Sequence, residues 1–167
     1  MRFPLLLAAF LPLASLAHGE AEEPSDSGCY AGASAALAIP QGGSRMRRLG
    51  GGALRAGLYL GEFWAVEGET SWMEDAAGLA VSALWHLQGW PFYGDLFGYS
   101  RFDPFLTAGA RGWIGGSFGQ VGPAAGVGAF WHLTDEWSLR FDAVPTLGLD
   151  SRVEVVYAFS VGVQRAF

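Results

Sequence analysis

From Leu54 onward the chain alternates between bulky apolar residues and small or polar ones. Leu54, Ala56, Leu58 and Leu60 share one parity, with Arg55, Gly57 and Tyr59 on the other. Trp64, Val66, Gly68, Thr70 and Trp72 oppose Ala65, Glu67, Glu69 and Ser71, and Leu79, Val81, Ala83, Trp85 and Leu87 oppose Ala80, Ser82, Leu84 and His86. The pattern returns with Ala125, Val127, Ala129, Trp131 and Leu133, then with Trp137, Leu139, Phe141 and Ala143 against Ser138, Arg140 and Asp142. It closes with Val153, Val155, Tyr157, Phe159, Val161 and Val163 against Glu154, Val156, Ala158, Ser160, Gly162 and Gln164. A period of two places successive side chains on opposite faces of a strand. With two weaker segments, 30–39 and 105–114, the pattern predicts eight strands of about 9–12 residues, the length a tilted strand needs to cross a bilayer. An even number of strands brings both ends of the barrel domain to one side, the periplasm in a bacterial outer membrane.

Alternation alone leaves two barrels open. A soluble, lipocalin-like barrel hides its apolar parity inside, whereas a membrane barrel turns it outward to lipid. Tryptophan placement separates them, because Trp64, Trp72, Trp85, Trp113, Trp131 and Trp137 all fall at or near strand ends. Indoles at both ends of apolar segments suit the two aromatic girdles of a membrane protein. The predicted fold is therefore an all-β, eight-stranded antiparallel up-and-down transmembrane barrel over 29–167. The opposite parity then lines the lumen and carries Arg55, Glu67, Glu69, Arg111, Arg140, Asp142 and Glu154. Three cations and four anions in a narrow lumen are expected to pair, because an unpaired buried charge is very costly. That expectation is a charge plug; the alternative is a small gated pore in which an Arg switches carboxylate partners.

The first residues read differently. MRFPLLLAAFLPLASLAHG has one Arg, a short apolar run and small residues, which predicts a signal peptide over 1–17, with cleavage after residue 19 as the alternative. Residues 18–28 form an acidic lead-in. Cys29 lies behind that polar stretch, too far from the apolar run to be a lipoprotein cysteine. Beyond the signal no run approaches the ~18 continuous apolar residues of a membrane helix.

Composition removes several chemistries. The ten cations are all Arg, so there is no lysine for a P-loop, a Schiff base or a catalytic base, and with no Asn there is no N-glycosylation site. A net charge of −6 argues against a nucleic-acid binder, and one cysteine with no CxxC or Cys/His cluster suggests neither a disulfide nor a metal. No cofactor is expected.

At this point the chain resembles the OmpA-type and opacity-type outer-membrane barrels. The residues that carry the likeness are Asp103-Pro104-Phe105-Leu106-Thr107-Ala108-Gly109, the run Gly126–Arg140 with its Leu133-Thr134-Asp135-Glu136-Trp137-Ser138-Leu139-Arg140 turn, and the final strand ending on Phe167. The resemblance implies a tight periplasmic turn between the sixth and seventh strands. It also implies that Phe167 is read by the barrel-assembly machinery, as well as anchoring in lipid. Arg165 departs from the pattern, standing where such strands often carry an aromatic; an interfacial Arg can snorkel to headgroups.

Other features are weighed on the same terms. His86 and His132 point inward near the periplasmic end and show no His-x-Ser pattern of the kind expected in lipid-modifying barrel enzymes, so lumenal hydrogen bonding is the expectation. Three arginines, Arg45, Arg47 and Arg48, crowd the first extracellular loop, where guanidiniums could bind lipopolysaccharide phosphates or simply face solvent. The segment 89–104 is rich in aromatics (Trp90, Phe92, Tyr93, Phe97, Tyr99, Phe102) and is expected to lie as an interfacial flap at the periplasmic side. The remaining extracellular loops, 73–77, 115–122 and 145–152, are short and offer little surface to an adhesin. The sequence thus points to a non-enzymatic barrel that supports envelope integrity, with outer-membrane lipids and lipopolysaccharide as partners and an open oligomeric state.

Overall fold

The computed structural model describes residues 28–41, 49–89, 101–115, 118–149 and 153–167. The signal peptide, the lead-in through residue 27, the Arg45/Arg47/Arg48 loop and the aromatic core of the proposed flap, 90–100, lie outside the described residues. Eight strands form one closed antiparallel barrel: β1 (Cys29–Pro40), β2 (Leu49–Tyr59), β3 (Trp64–Met73), β4 (Ala76–His86), β5 (Phe102–Gly115), β6 (Phe118–His132), β7 (Trp137–Leu149) and β8 (Val153–Ala166). Each strand pairs with its chain neighbours, and β1 closes on β8 from Tyr30↔Ala166 to Pro40↔Val156. Closure removes every free sheet edge, which a barrel in lipid must do because hydrocarbon cannot satisfy backbone groups.

Several strands run longer than the alternation suggested. Residues 118–122 and 145–149, expected in loops, belong to β6 and β7, and β5 begins at Phe102. Glycine and proline made these stretches resemble turns, but the neighbouring strands extend them. Pro145 faces outward in β7 and pairs with Tyr157 of β8. Having no N–H, it breaks the ladder on its other side, and pairing of β6 with β7 is interrupted between Ala124↔Thr146 and Val127↔Ala143.

The wall is inverted relative to a soluble barrel. Exposed side chains include Leu54, Leu58, Val66, Leu79, Val81, Leu106, Val127, Phe141, Phe159, Val161 and Val163, while Arg55, Glu67, Glu69, Arg111, Arg140 and Asp142 are buried inside. No soluble fold would choose that arrangement, since it wets apolar surface and buries charge together. Along β8 the outward face runs from Tyr157 to Phe167; ten steps of about 3.3 Å at a tilt of about 40° rise about 25 Å, the height of a barrel's lipid-facing band. The transmembrane barrel is the arrangement these surfaces fit.

The lumen is filled in layers. At the end shared by Cys29 and Phe167, Tyr30, Ala65, Leu84, Phe105 and Phe130 form one apolar cluster. At the other end Ala38, Met73, Ala76, Trp113, Val156 and Ala158 form a second. Bulky rings fit because glycine faces them from the adjacent strand. A Cβ on Gly57 would run into the Tyr30 ring, one on Gly128 into Phe105, and one on Gly78 into Trp113. At the β2–β3 connection Gly61 adopts φ +132°, which lets the turn close with Leu60 N donating to Trp64 O at 2.8 Å.

Candidate functional site

Between the two apolar layers the inward positions of β2, β3, β5, β7 and β8 converge. Arg140 donates to Glu67 through both terminal nitrogens and to Asp142 through Nε at 2.9 Å. Its guanidinium lies 5.0 Å from the Phe105 ring centre and 5.2 Å from that of Phe130. Tyr30 donates its hydroxyl to Glu67 at 2.9 Å. Arg55 bridges the next step, with Nε 2.8 Å from Glu69, Nη1 3.1 Å from Asp142 and Nη2 donating to Ser160 at 2.8 Å. Ser160 in turn donates to Asp142 at 2.7 Å. Arg111 ends the ladder on Glu69 at 3.1 Å.

Charges therefore alternate along one connected path, Arg111–Glu69–Arg55–Asp142–Arg140–Glu67, with three cations against three anions. Glu154, the seventh residue expected here, is half-buried near the start of β8, six residues from Ser160. It shares the inward parity, but six residues of strand amount to roughly 20 Å. Without it the path is electrically balanced, which is what burial of charge demands. The cavity beside Arg55, Glu69, Arg111, Trp113, Asp142 and Ser160 measures about 10 Å³, at the threshold for a single water molecule. Side chains close the described lumen here.

The path is held unevenly. Arg140 is sandwiched and multiply paired, whereas Arg111 reaches one carboxylate, and its Nε has no hydrogen-bond partner among the described residues. Trp113 lies beside it, 5.7 Å from the Arg111 guanidinium to the ring centre, with Nε1 also unpartnered.

Trp113 corrects the expected girdle. It is 1% exposed and fills the lumen, because it shares parity with Arg111; its nearness to a strand end was the misleading cue. Trp64, Trp72, Trp131 and Trp137 are exposed on the outer wall, and half-buried Trp85 stacks on Trp64 with ring centres 5.8 Å apart. The distribution is lopsided rather than symmetric. Among the described residues, Trp64, Trp85, Trp131 and Trp137 ring the end that carries Cys29 and Phe167, and Trp72 alone marks the other.

His86 and His132 both lie near the Phe167 end. His86 is buried, stacked on Phe130, with Nδ1 2.6 Å from Asp103. His132 and Ser138 face each other across β6 and β7 with Nδ1 2.8 Å from the hydroxyl. Neither contact is a sequence motif; both arise from strand register. Tyr30, Asp103, Phe105, Phe130, Ser160 and Gln164 also belong to the lumenal packing and had not been singled out for it. Their inward parity was the available signal.

Phe167 is 67% exposed, and its N–H donates to Cys29 O at 2.8 Å, so the last residue completes the seam with β1. Arg165 on the outer wall lies over Trp137 and Phe167 at 5.7 and 5.2 Å, and donates to Glu136 through Nε and Nη2 at 3.1 and 2.9 Å.

No protein-family model and no curated protein matches the sequence. Solved structures do match its shape. Neisserial surface protein A aligns over 86% of this chain and 98% of its own, with 18% identity and a TM-score of 0.58. The outer membrane protein OprG of Pseudomonas aeruginosa aligns over 86% and 96%, at 10% identity and a TM-score of 0.58. Outer Membrane Protein W of E. coli aligns over 86% and 100%, at 13% identity and a TM-score of 0.52. At such identities the likeness establishes architecture, and it agrees with the inverted wall: this chain has the closed, all-antiparallel eight-stranded fold of the small outer-membrane β-barrels.

Proposed function

We propose that the chain is a non-enzymatic integral protein of the bacterial outer membrane whose plugged barrel contributes to envelope integrity. The observation that carries this reading is the balanced Arg–carboxylate path across a lumen whose described cavity is only about 10 Å³. Such a plug keeps a stable lipid-facing cylinder without opening a leak. Single-channel recording of the folded chain in a planar bilayer tests it. Silence is expected from the wild type, with conductance appearing in Arg140→Ala; steady openings in the wild type overturn the plug. Deletion in the native host, scored by sensitivity to detergents and large antibiotics, tests the envelope role.

A small pore is the second reading, favoured by the single ion pair that holds Arg111 beside the cavity. Two partner assignments complete the proposal. Arg45, Arg47 and Arg48 contact lipopolysaccharide phosphates, which loss of lipopolysaccharide co-purification in the triple Gln variant would support. Phe167 serves the assembly machinery, so Phe167→Ala lowers the folded yield in cells more than refolding in vitro.

A further inference from the structure

The outer wall carries one ion pair fixed by rings, and it sits where a lipid headgroup would. Arg165 and Glu136 lie at the end shared by Cys29 and Phe167, outside the barrel. Both side chains are substantially exposed, 45% and 60%. The pair is nonetheless positioned. Trp137 is the cross-strand partner of Arg165, Trp137 and Phe167 flank the guanidinium, and Ala166 N donates to Glu136 O at 2.8 Å. Both Arg165 hydrogen bonds fall on Glu136 Oε2, from Nε and Nη2. A second guanidinium edge and a second carboxylate oxygen therefore remain for another molecule. Beyond the pair, the outward face of β7 and β8 continues in lipid-like residues, with Leu139 opposite Val163, Phe141 opposite Val161 and Ala143 opposite Phe159.

We infer that this cluster is a binding site for a zwitterionic phospholipid of the phosphoethanolamine class in the periplasmic leaflet. The inference rests on the transmembrane reading. A lone arginine would select any anion, but here a carboxylate stands beside it and repels a purely anionic headgroup. A headgroup with both charges satisfies both residues. Its phosphate accepts from the outer edge of Arg165, and its ammonium donates to Glu136 and lies near the Trp137 face. Its acyl chains then follow the stripe of Leu139, Val163, Phe141 and Val161. Phosphocholine keeps the charges but has no N–H to donate, so Glu136 discriminates against it.

The test folds the full chain into vesicles of equal parts phosphatidylethanolamine, phosphatidylglycerol and phosphatidylcholine, then counts retained lipids by native mass spectrometry after gentle detergent extraction. The wild type is expected to retain phosphatidylethanolamine over each of the others by at least about threefold, a modest free-energy difference. Glu136→Gln should abolish the preference over phosphatidylcholine, and Arg165→Gln should abolish retention of phosphatidylethanolamine above background. Equal retention of the three classes, a preference for phosphatidylglycerol, or a phosphatidylethanolamine preference untouched by both variants overturns the site. Heat-modifiable gel mobility of the same samples reports the barrel independently, so a folded barrel without lipid preference sinks this inference alone. An absent mobility shift sinks the transmembrane reading beneath it.

Discussion

Arg140 and Arg111 occupy the same lumen and point from neighbouring layers into one ion path, yet they are held very differently. Arg140 has two carboxylates, the Gln164 amide at 3.4 Å and an aromatic ring on each of two strands. Arg111 has one carboxylate oxygen that it shares with Arg55, one ring and a small cavity. The difference shows that burying a charge and fixing it are separate achievements. A guanidinium has five donors, and the more of them that are matched, the fewer alternative poses compete with the native one. Arg140 is anchored, whereas Arg111 is tethered.

Breaking the anchored end should have the largest effect. Arg140→Ala leaves Glu67 with only the Tyr30 hydroxyl and Arg55 at 3.8 Å and weakens Asp142, and removing one partner of a buried pair costs about 3–5 kcal/mol; urea unfolding of the detergent-folded barrel, followed by tryptophan fluorescence, measures it. Arg111→Gln should cost less, about 1.5–3 kcal/mol for a lost charged hydrogen bond, since Glu69 keeps Arg55 at 2.8 Å. If the two variants destabilise equally in the same assay, the contrast between them fails. Gly128→Ala probes the ring floor beneath Arg140, because the added methyl meets Phe105. The methyl also meets the Phe141 backbone oxygen, so overpacking costs about 1–3 kcal/mol and Phe105→Leu in the same chain should recover only part of it. The exposed Arg165→Gln sets the lower limit, with at most about 1 kcal/mol lost in the same unfolding assay.

Much of this was legible in the chain. Period-two alternation identified all eight strands, and parity, once tryptophan placement had chosen a membrane barrel over a soluble one, sent Arg55, Glu67, Glu69, Arg111, Arg140 and Asp142 inward. Trp113 departs from the girdle because its parity, shared with Arg111 two residues earlier, overrides its place near a strand end. Strand ends were less legible, since Gly119, Gly122 and Pro145 signal turns locally but are overridden by ladder pairing with the neighbouring strands. The connections across the lumen were not legible at all. Arg140 and Glu67 are 73 residues apart, and their meeting depends on barrel shear, which no local pattern encodes. The same holds for Glu154, where parity gives the face but not the height.

The hollows beneath the large rings carry a consequence for how the protein can change over time. Tyr30 with Gly57, Phe105 with Gly128 and Trp113 with Gly78 each divide one volume between adjacent strands. Neither member can vary alone: a larger residue in the hollow evicts the ring, and a smaller ring leaves a void. Sequence drift at these sites must therefore travel in pairs, so among distant descendants the pairing rule should outlast the identity of either residue.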